Sequence, residues 1–215
     1  PTDLSWYTFD RMADSVATLV DELGLEKVTL VCHDWGGPIG LRVATLERPG
    51  EFSRIVAMNT GLFTGYQRMS EDWLHFRDFI ASHEDVRIAM PIQGGAGSEL
   101  SDEVIAAYEA PFPTVPSKAG VRAFPPMIPM TPDAPGAAEG QATGAYLQTD
   151  ARPMMLFWGD RDLALPLDPV GRAVQNFFPN AAPLTVLEGG GHFVQEDEGE
   201  FIGEEIVKFI AANPV

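Results

Sequence analysis

The residues of this 215-residue chain that are most able to do chemistry lie in three short motifs, at residues 32–37, 159–162 and 189–193. The first motif places Asp34 between a strand-like run and a helix-like run. A strained turn from strand to helix lifts one side chain above the edge of a sheet, and here that side chain is a carboxylate. A carboxylate can displace a leaving group from carbon and form an alkyl ester, which water must then hydrolyse. The motif therefore predicts Asp34 as a nucleophile.

Asp34 also has a structural interpretation, because an aspartate before Trp-Gly-Gly can cap the N-terminus of a helix. A downstream histidine favours catalysis over capping. His192 follows a strand-like run and three glycines, which let the backbone approach a site closely, and the aromatic Phe193 comes next. We expect His192 to take a proton from the water that attacks the ester.

The acid that orients His192 is expected in the turn at residues 159–162. Asp160 and Asp162 both lie in this turn. The Gly-x-x-Asp spacing lets the turn finish before the carboxylate points inward, so we predict Asp162 as the acid. Asp160 is predicted to cap the turn or to face solvent.

Trp35 directly follows the predicted nucleophile Asp34. An indole N–H donates a hydrogen bond and has no capacity to accept one, which suits the binding of an anion that departs from carbon. We therefore predict that Trp35 binds the leaving anion. The alternative is an aromatic residue of the core that packs against a lid.

The order of the predicted elements indicates an α/β fold with a mostly parallel sheet. Apolar, β-branched runs predict strands at residues 27–32, 54–58, 154–158 and 184–187. Helical patterns predict helices at residues 9–23, 37–48, 169–178 and 198–212. Residues 60–150 contain no convincing buried strand and are too apolar for a solvated linker. We therefore predict a hydrolase core at residues 1–60 and 151–215, with a helical lid at residues 61–150.

The composition excludes several classes of partner. A hydrophobic content of 45% is ordinary for a globular protein, and no apolar run is long enough to span a bilayer. The formal net charge of −17 disfavours nucleic acid and anionic membranes, because phosphate groups would be repelled. We predict that neither nucleic acid nor a membrane is a partner.

The cysteine and histidine content predicts neither a disulfide nor a metal site. Cys32 is the only cysteine, so no disulfide can form within the chain. The four histidines show no helical His-x-x-x-His pair and have no cysteine cluster beside them. No cofactor is predicted, because the predicted ester chemistry needs only water besides its substrate. The chain begins at Pro1 rather than at methionine, so a signal peptide cannot be judged, and a cytoplasmic location is the expectation.

The sequence resembles the haloalkane dehalogenases, which have the α/β-hydrolase fold. The resemblance rests on Asp-Trp-Gly-Gly at residues 34–37, Gly-Asp-Arg-Asp at 159–162, Gly-His-Phe-Val-Gln-Glu at 191–196, and lid stretches at 107–113 and 119–125. It implies hydrolysis of small apolar haloalkanes by water to alcohol and halide, through an ester on Asp34, with Trp35 as a halide donor. Asn59 favours the subgroup whose acid follows a later strand, since an amide cannot serve as that acid. The resemblance also implies a substrate pocket lined by Pro38, Phe124, Pro125, Ile128, Ala164 and Leu165.

Two features depart from the family pattern. A second halide-binding tryptophan is expected from the lid, but residues 90–101 contain none, and Gln93 is a nearby donor. Residues 1–8 resemble the segment just before the helix that precedes the first predicted strand. About half of the family's sheet is therefore expected to be absent, with the strand at residues 27–32 left as an exposed edge that favours self-association.

Two other functions remain open from the sequence. An epoxide hydrolase would use the same triad with lid tyrosines as acids, for which Tyr108 and Tyr146 are available. A non-catalytic member of the fold would act as a binding protein. An ester hydrolase is disfavoured because the first motif has no serine.

Overall fold

A computed structural model describes all 215 residues. Four parallel strands form one sheet in the order β1-β2-β3-β4. The strands are β1 (Val28–Asp34), β2 (Phe52–Thr60), β3 (Met154–Gly159) and β4 (Thr185–Leu187). The predicted parallel α/β-hydrolase sheet is confirmed. In this chain β1 is an edge strand, and its Val31 is 44% exposed.

The chain also forms ten α-helices. They are α1 (Phe9–Glu22), α2 (Gly36–Arg42), α3 (Glu71–Ser82), α4 (Ala89–Gly95), α5 (Asp102–Glu109), α6 (Ala119–Ala123), α7 (Ala137–Leu147), α8 (Arg172–Gln175), α9 (Val194–Asp197) and α10 (Gly199–Ala212). Shorter 3₁₀ turns lie at Leu4–Trp6, Val115–Lys118 and Pro125–Met127, and π turns lie at Val43–Glu47 and Leu167–Gly171. None of these helices combines the length and the apolar character that crossing a bilayer requires.

Helix α1 supports the first motif from one side of the sheet. Its N-terminus is capped by Thr8, whose hydroxyl accepts a hydrogen bond from the backbone N–H of Arg11. Ala13, Ala17 and Val20 recur at helical spacing and form the buried stripe of this helix. They pack with buried residues from the π turn after α2 and from the start of β2, which are Val43, Ala44 and Phe52.

The central strands are buried on both faces, as their apolar sequences predict. On one face, Ile55 and Leu156 lie in the main core cluster with Trp158. On the other face, their neighbours Val56 and Phe157 pack in a second cluster, which includes Ile202 of α10. Because side chains alternate along a strand, this double burial fixes the register of β2 and β3 and hence the positions of the loops at their carboxyl ends.

Two predicted helices are less regular than their sequences indicate. The helix predicted at residues 37–48 changes after Arg42 to a π turn, in which the backbone N–H of Arg48 donates to the Val43 carbonyl. The Thr45 hydroxyl donates to the Leu41 carbonyl, and such side-chain bonds compete with regular helical pairing. The helix predicted at residues 169–178 ends early, at Gln175, because the backbone N–H groups of residues 176–178 donate to carbonyls three residues earlier and form turns.

The segment between β2 and β3 contains α3 to α7 and no strand, and it is called the insertion below. Its last helix differs from a lid in its packing. Helix α7 contacts α2, and Leu147 is fully buried in the same cluster as Trp158. The lid predicted at residues 61–150 includes α7, but by its packing α7 is part of the core.

Candidate active site

The three residues predicted as a triad lie together at the carboxyl end of the sheet. Asp34 ends β1, Asp162 follows β3 and His192 follows β4. The Nδ1 atom of His192 lies 2.8 Å from Oδ2 of Asp162. The Nε2 atom on the other side of the ring lies 3.5 Å from Oδ1 of Asp34. The imidazole is therefore held between two carboxylates, one of which can orient it while the other faces its second nitrogen.

The turn at Asp34 is a strained elbow. Asp34 has a φ of +46°, in the left-handed region that L-residues other than asparagine and aspartate seldom adopt. The hydroxyl of Thr60 donates to the Asp34 carbonyl at 2.5 Å. A Cβ at Gly37 would lie 1.8 Å from this hydroxyl oxygen, so only glycine lets α2 begin this close to β2. The Asp34 side chain stays 40% exposed and is thus accessible to a substrate.

Both oxygens of the Asp162 carboxylate form hydrogen bonds. Its Oδ1 accepts from the backbone N–H groups of Ala164 and Leu165, each at 2.8 Å. Its Oδ2 faces His192 and accepts from Nδ2 of Asn59 at 2.7 Å. The side chain is fully buried. A carboxylate held in this way has one orientation and can fix one orientation of the imidazole ring.

Asp160, the other carboxylate of this turn, lies outside the site. Its side chain accepts from the backbone N–H of Gly189 at 2.8 Å and is exposed to solvent. The geometry therefore places Asp162 beside His192 and Asp160 at the surface, beside Gly189.

Asn59 supports Asp162, a role that the sequence analysis missed. The residue is fully buried near the end of β2 and has a φ of +35°. Its amide donates to Asp162 and to the Gly191 carbonyl, at 3.3 Å, and accepts from the Gly159 N–H at 3.1 Å. One side chain thus connects three segments of the site. The signal available in the sequence is an amide directly after the apolar run at residues 55–58.

The two carboxylates control the charge of His192. Burial disfavours the imidazolium, but the hydrogen bonds and charges of Asp162 and Asp34 outweigh it and raise the pKa of His192 to about 10. Burial also disfavours ionised Asp34, yet the hydrogen bond and charge of His192 lower the pKa of this carboxyl below its usual value. In the free protein at neutral pH, the site therefore holds an imidazolium between two carboxylates.

His33 is a second histidine of the site, although the sequence indicates no role for it. Its Nε2 lies 2.7 Å from the His192 carbonyl, so this nitrogen carries the proton and donates to the carbonyl. Burial and then the charge of His192 lower the pKa of His33. A neutral His33 thus fixes the backbone of His192 from the side of β1.

Trp35 lies in an aromatic group beside the elbow. Its ring is 5.0 Å from that of Phe63 and 5.1 Å from that of Phe124, both in edge-to-face contact. Its indole N–H donates to no other group of the protein, whereas that of Trp158 donates to the Leu165 carbonyl. Phe124, predicted to line the pocket, is thus adjacent to the predicted anion donor.

The other residues predicted to line the pocket are dispersed. Pro38 is buried in the first turn of α2, and Pro125 is buried in the 3₁₀ turn after α6. Ile128 lines a groove of about 370 Å³ between the insertion and the N-terminal segment. Ala164 is exposed, and the side chain of Leu165 packs against the main core. Their assignment to a substrate pocket stays a prediction.

Three further polar residues considered from the sequence make other contacts. Gln93 accepts from the Leu100 N–H and donates to the Ser98 carbonyl, which ties its amide to its own loop. The Tyr108 hydroxyl donates to Glu196 at 2.6 Å, and burial and this carboxylate raise its pKa to about 12. The Tyr146 ring stacks on Arg152, which binds the Phe52 carbonyl at the opposite end of β2 from the elbow.

Among all 215 residues, no cluster of histidine, cysteine and carboxylate side chains has the arrangement of a metal site.

The position of Asp162 predicts unequal effects of two matched substitutions. We expect Asp162→Asn to reduce turnover on the order of 10³- to 10⁴-fold, because an orienting acid fixes the histidine tautomer and stabilises the imidazolium. Asp160→Asn is expected to change turnover by about twofold at most, since it removes one exposed hydrogen bond. Steady-state rates of both folded variants measure the difference, and equal losses would contradict the assignment of Asp162.

Comparison with known proteins agrees with this geometry. Residues 1–204 match the model of the alpha/beta hydrolase family. A haloalkane dehalogenase of Psychrobacter cryohalolentis is 36% identical over 217 residues, which cover 100% of this chain and 70% of the relative. A haloalkane dehalogenase of Mycobacterium marinum is 32% identical over 210 residues, which cover 97% of this chain and 70% of the relative.

Solved structures show the same relationship. The tetrameric structure of haloalkane dehalogenase DpaA from Paraglaciecola agarilytica superposes with a TM-score of 0.88 at 27% identity, covering 95% of this chain and 68% of the other. The dehalogenase DbeA from Bradyrhizobium elkani gives a TM-score of 0.80 at 27% identity, covering 96% of this chain and 74% of the other. By sequence and by fold, this chain belongs to the haloalkane dehalogenases, within the α/β-hydrolase family.

Proposed function

We propose that this protein hydrolyses small haloalkanes to alcohol and halide through a covalent alkyl ester on Asp34. The observation that carries the proposal is the carboxylate at the elbow, with one oxygen 3.5 Å from His192. A hydroxyl nucleophile would need a base to remove its proton, whereas a carboxylate is already ionised and can attack carbon directly.

In the first step, an oxygen of Asp34 forms a bond to the carbon that carries the halogen. The carbon–halogen bond breaks, and halide leaves with its electron pair. No proton moves, because the nucleophile and the leaving group are both anions. The lowered pKa of Asp34 keeps it ionised for this step. The indole N–H of Trp35 is free to donate to the departing halide.

In the second step, His192 acts as the base. Ester formation neutralises Asp34 and so removes one of the two negative charges that raise the pKa of His192. The pKa of His192 then falls, and the imidazolium can lose its proton to solvent. The neutral imidazole takes a proton from water, which attacks the ester carbonyl. The bond between the ester carbonyl carbon and the alkoxide oxygen breaks, and the imidazolium returns its proton to the alkoxide, which leaves as alcohol. The carboxylic acid left at Asp34 then gives its proton to the imidazole, so that the site again holds a carboxylate and an imidazolium.

Both steps need a deprotonated group, but they slow in different ranges of pH. Displacement requires ionised Asp34 and fails only as the pH falls through its lowered pKa. Hydrolysis requires neutral His192 in the ester, so its rate rises with pH until that pKa, below the value of about 10 in the free protein, is passed.

The direct test is the release of halide from a short bromoalkane by the purified 215-residue chain. We expect steady release of bromide with one equivalent of alcohol. Hydrolysis of a matched short epoxide is not expected, because Tyr108 is bonded to Glu196 and Tyr146 lies at the far end of β2. Turnover of the epoxide without release of bromide would contradict the proposal, as would binding without turnover of either compound.

The partners that we propose are the small apolar halogenated substrate, water and the halide product. Self-association across the edge strand β1 is a further proposal. It is supported by the exposed, β-branched Val31 on a strand that pairs on one side only. Sedimentation of the chain, with Val31→Lys as the edge-blocked comparison, measures it.

A further inference from the structure

The insertion contacts the backbone of His192 through one short loop. Residues 95–98, called the 95–98 loop, start at Gly95, the last residue of α4, and lie on residues 189–193, called the histidine loop. The carbonyl of Gly95 accepts from the backbone N–H of His192 at 2.6 Å and from that of Phe193 at 3.4 Å. The proposed base is therefore bonded to the insertion by its own main chain.

Glycines on both loops allow this close approach. A Cβ at Gly97 would lie 2.1 Å from the Gly189 carbonyl oxygen and 2.7 Å from the Gly191 nitrogen. A Cβ at Gly191 would lie 2.3 Å from the Gly95 carbonyl oxygen. These neighbours are backbone atoms, so no side-chain rotation could relieve the overlap. The two loops pack main chain against main chain.

Asp197, the last residue of α9, binds both loops at once. Its Oδ2 accepts from the N–H groups of Gly97 and Gly191, each at 2.8 Å. Its Oδ1 accepts from the N–H of Ser98 at 2.9 Å and from the Ser98 hydroxyl at 2.7 Å. Burial disfavours the charged form, but the bonds from Gly191, Ser98 and Gly97 outweigh it and lower the pKa of Asp197. The four hydrogen bonds are therefore charge-assisted at neutral pH.

We propose that Asp197 is a positioning residue for His192, because its carboxylate connects the 95–98 loop to the histidine loop and so fixes the imidazole relative to Asp34. The inference rests on the proposed function, since it assigns His192 to ester hydrolysis. Displacement of halide by Asp34 does not use His192. Loss of the Asp197 carboxylate therefore acts on the second step and spares the first.

Amide hydrogen exchange tests the connection without any measurement of activity. Asp197→Asn replaces one acceptor oxygen by an NH₂ group that faces backbone donors. We expect exchange at Gly97, Ser98 and Gly191 to accelerate by about tenfold or more. The matched control is Asp160→Asn, which removes a carboxylate that binds the same histidine loop at Gly189 and is expected to accelerate exchange at Gly189 alone. Unchanged exchange at Gly97 and Gly191 in the Asp197 variant would overturn the proposal.

Single-turnover kinetics with a short bromoalkane tests the effect on His192. In Asp197→Asn, the first release of halide is expected to stay within about twofold of the wild-type rate, while steady turnover falls about 10²-fold, as a displacement of a catalytic group near 1 Å can cause. The alkyl ester should then accumulate on Asp34. Equal slowing of both steps would indicate a structural defect and would overturn the positioning role, as would no slowing of either.

Ser98→Ala keeps the proposal testable if Asp197→Asn does not fold. It removes the hydroxyl donor and leaves the carboxylate in place, so faster exchange of the Ser98 amide and a smaller loss in the second step are expected. Unchanged values for both would contradict the proposal. If the wild-type chain releases no halide, the proposed function fails, and the exchange measurements still decide whether Asp197 connects the loops.

Discussion

Replacing Asp34 with alanine is expected to abolish halide release while the protein stays folded. In the proposed mechanism Asp34 supplies the oxygen that forms the alkyl ester, and the site contains no second nucleophile at this position. We expect the rate to fall by at least about 10³-fold, as it does when a covalent nucleophile is removed from an enzyme. Halide release from a short bromoalkane measures the loss, and circular dichroism with a thermal melt measures the fold.

The backbone at Asp34 requires a second variant as a control. Alanine in the left-handed region costs about 1–2 kcal/mol, whereas asparagine tolerates this conformation. Asp34→Asn should therefore be inactive with a smaller change in melting temperature than Asp34→Ala. A folded variant of either kind that keeps a tenth of the wild-type rate would exclude Asp34 as the nucleophile.

Replacing His192 with phenylalanine should separate the two chemical steps. Displacement of halide needs no base, and hydrolysis of the ester does. The variant is expected to release about one equivalent of halide and then stop, with the alkyl group left on Asp34. Intact-mass spectrometry shows the added alkyl mass, and peptide mapping locates it.

The charge of the site sets the conditions and the control for this experiment. Removing His192 also removes the largest interactions that lower the pKa of Asp34 and leaves the burial that raises this pKa. The burst should therefore be measured at alkaline pH, where Asp34 is ionised. His192→Gln is the matched variant, because its amide can still donate to Asp162 but cannot act as a base. Steady turnover by both variants, or an adduct on another residue, would refute the ester mechanism.

The strands and the elbow were predictable because their signals are local. Residues 28–32 form a continuous apolar run, and the reactive turn follows directly, so β1 and α2 could be read from neighbouring residues. The helix predicted at residues 169–178 was placed three residues too far at its C-terminal end, because turn hydrogen bonds at residues 176–178 end it at Gln175. The packing of α7 on α2 was not readable either, since burial of Leu147 depends on residues more than a hundred positions away.

The residues of the candidate site also differ in how far the sequence predicts them. Asp34 ends its strand, and Asp162 and His192 follow theirs. Because the carboxyl ends of parallel strands meet at one edge of the sheet, the proximity of the three residues could be predicted. Asn59 and Asp197 gave no comparable signal. Asp197 lies in an acidic run that resembles a solvated surface, and its partners Gly97 and Ser98 are about a hundred residues earlier. Only the folded arrangement of the loops shows that this carboxylate is shared between them.

The backbone of the elbow also limits how this protein could be engineered. Because the backbone at position 34 has a φ of +46°, a substituted residue must first tolerate the left-handed conformation before its reactivity matters. Serine and cysteine are attractive nucleophiles for new reactions, but neither favours the left-handed region as aspartate does. Threonine fits worst, because its branched Cβ crowds the backbone there. A library at this position should therefore be built in a stabilised parent, so that loss of fold does not conceal a gain of chemistry.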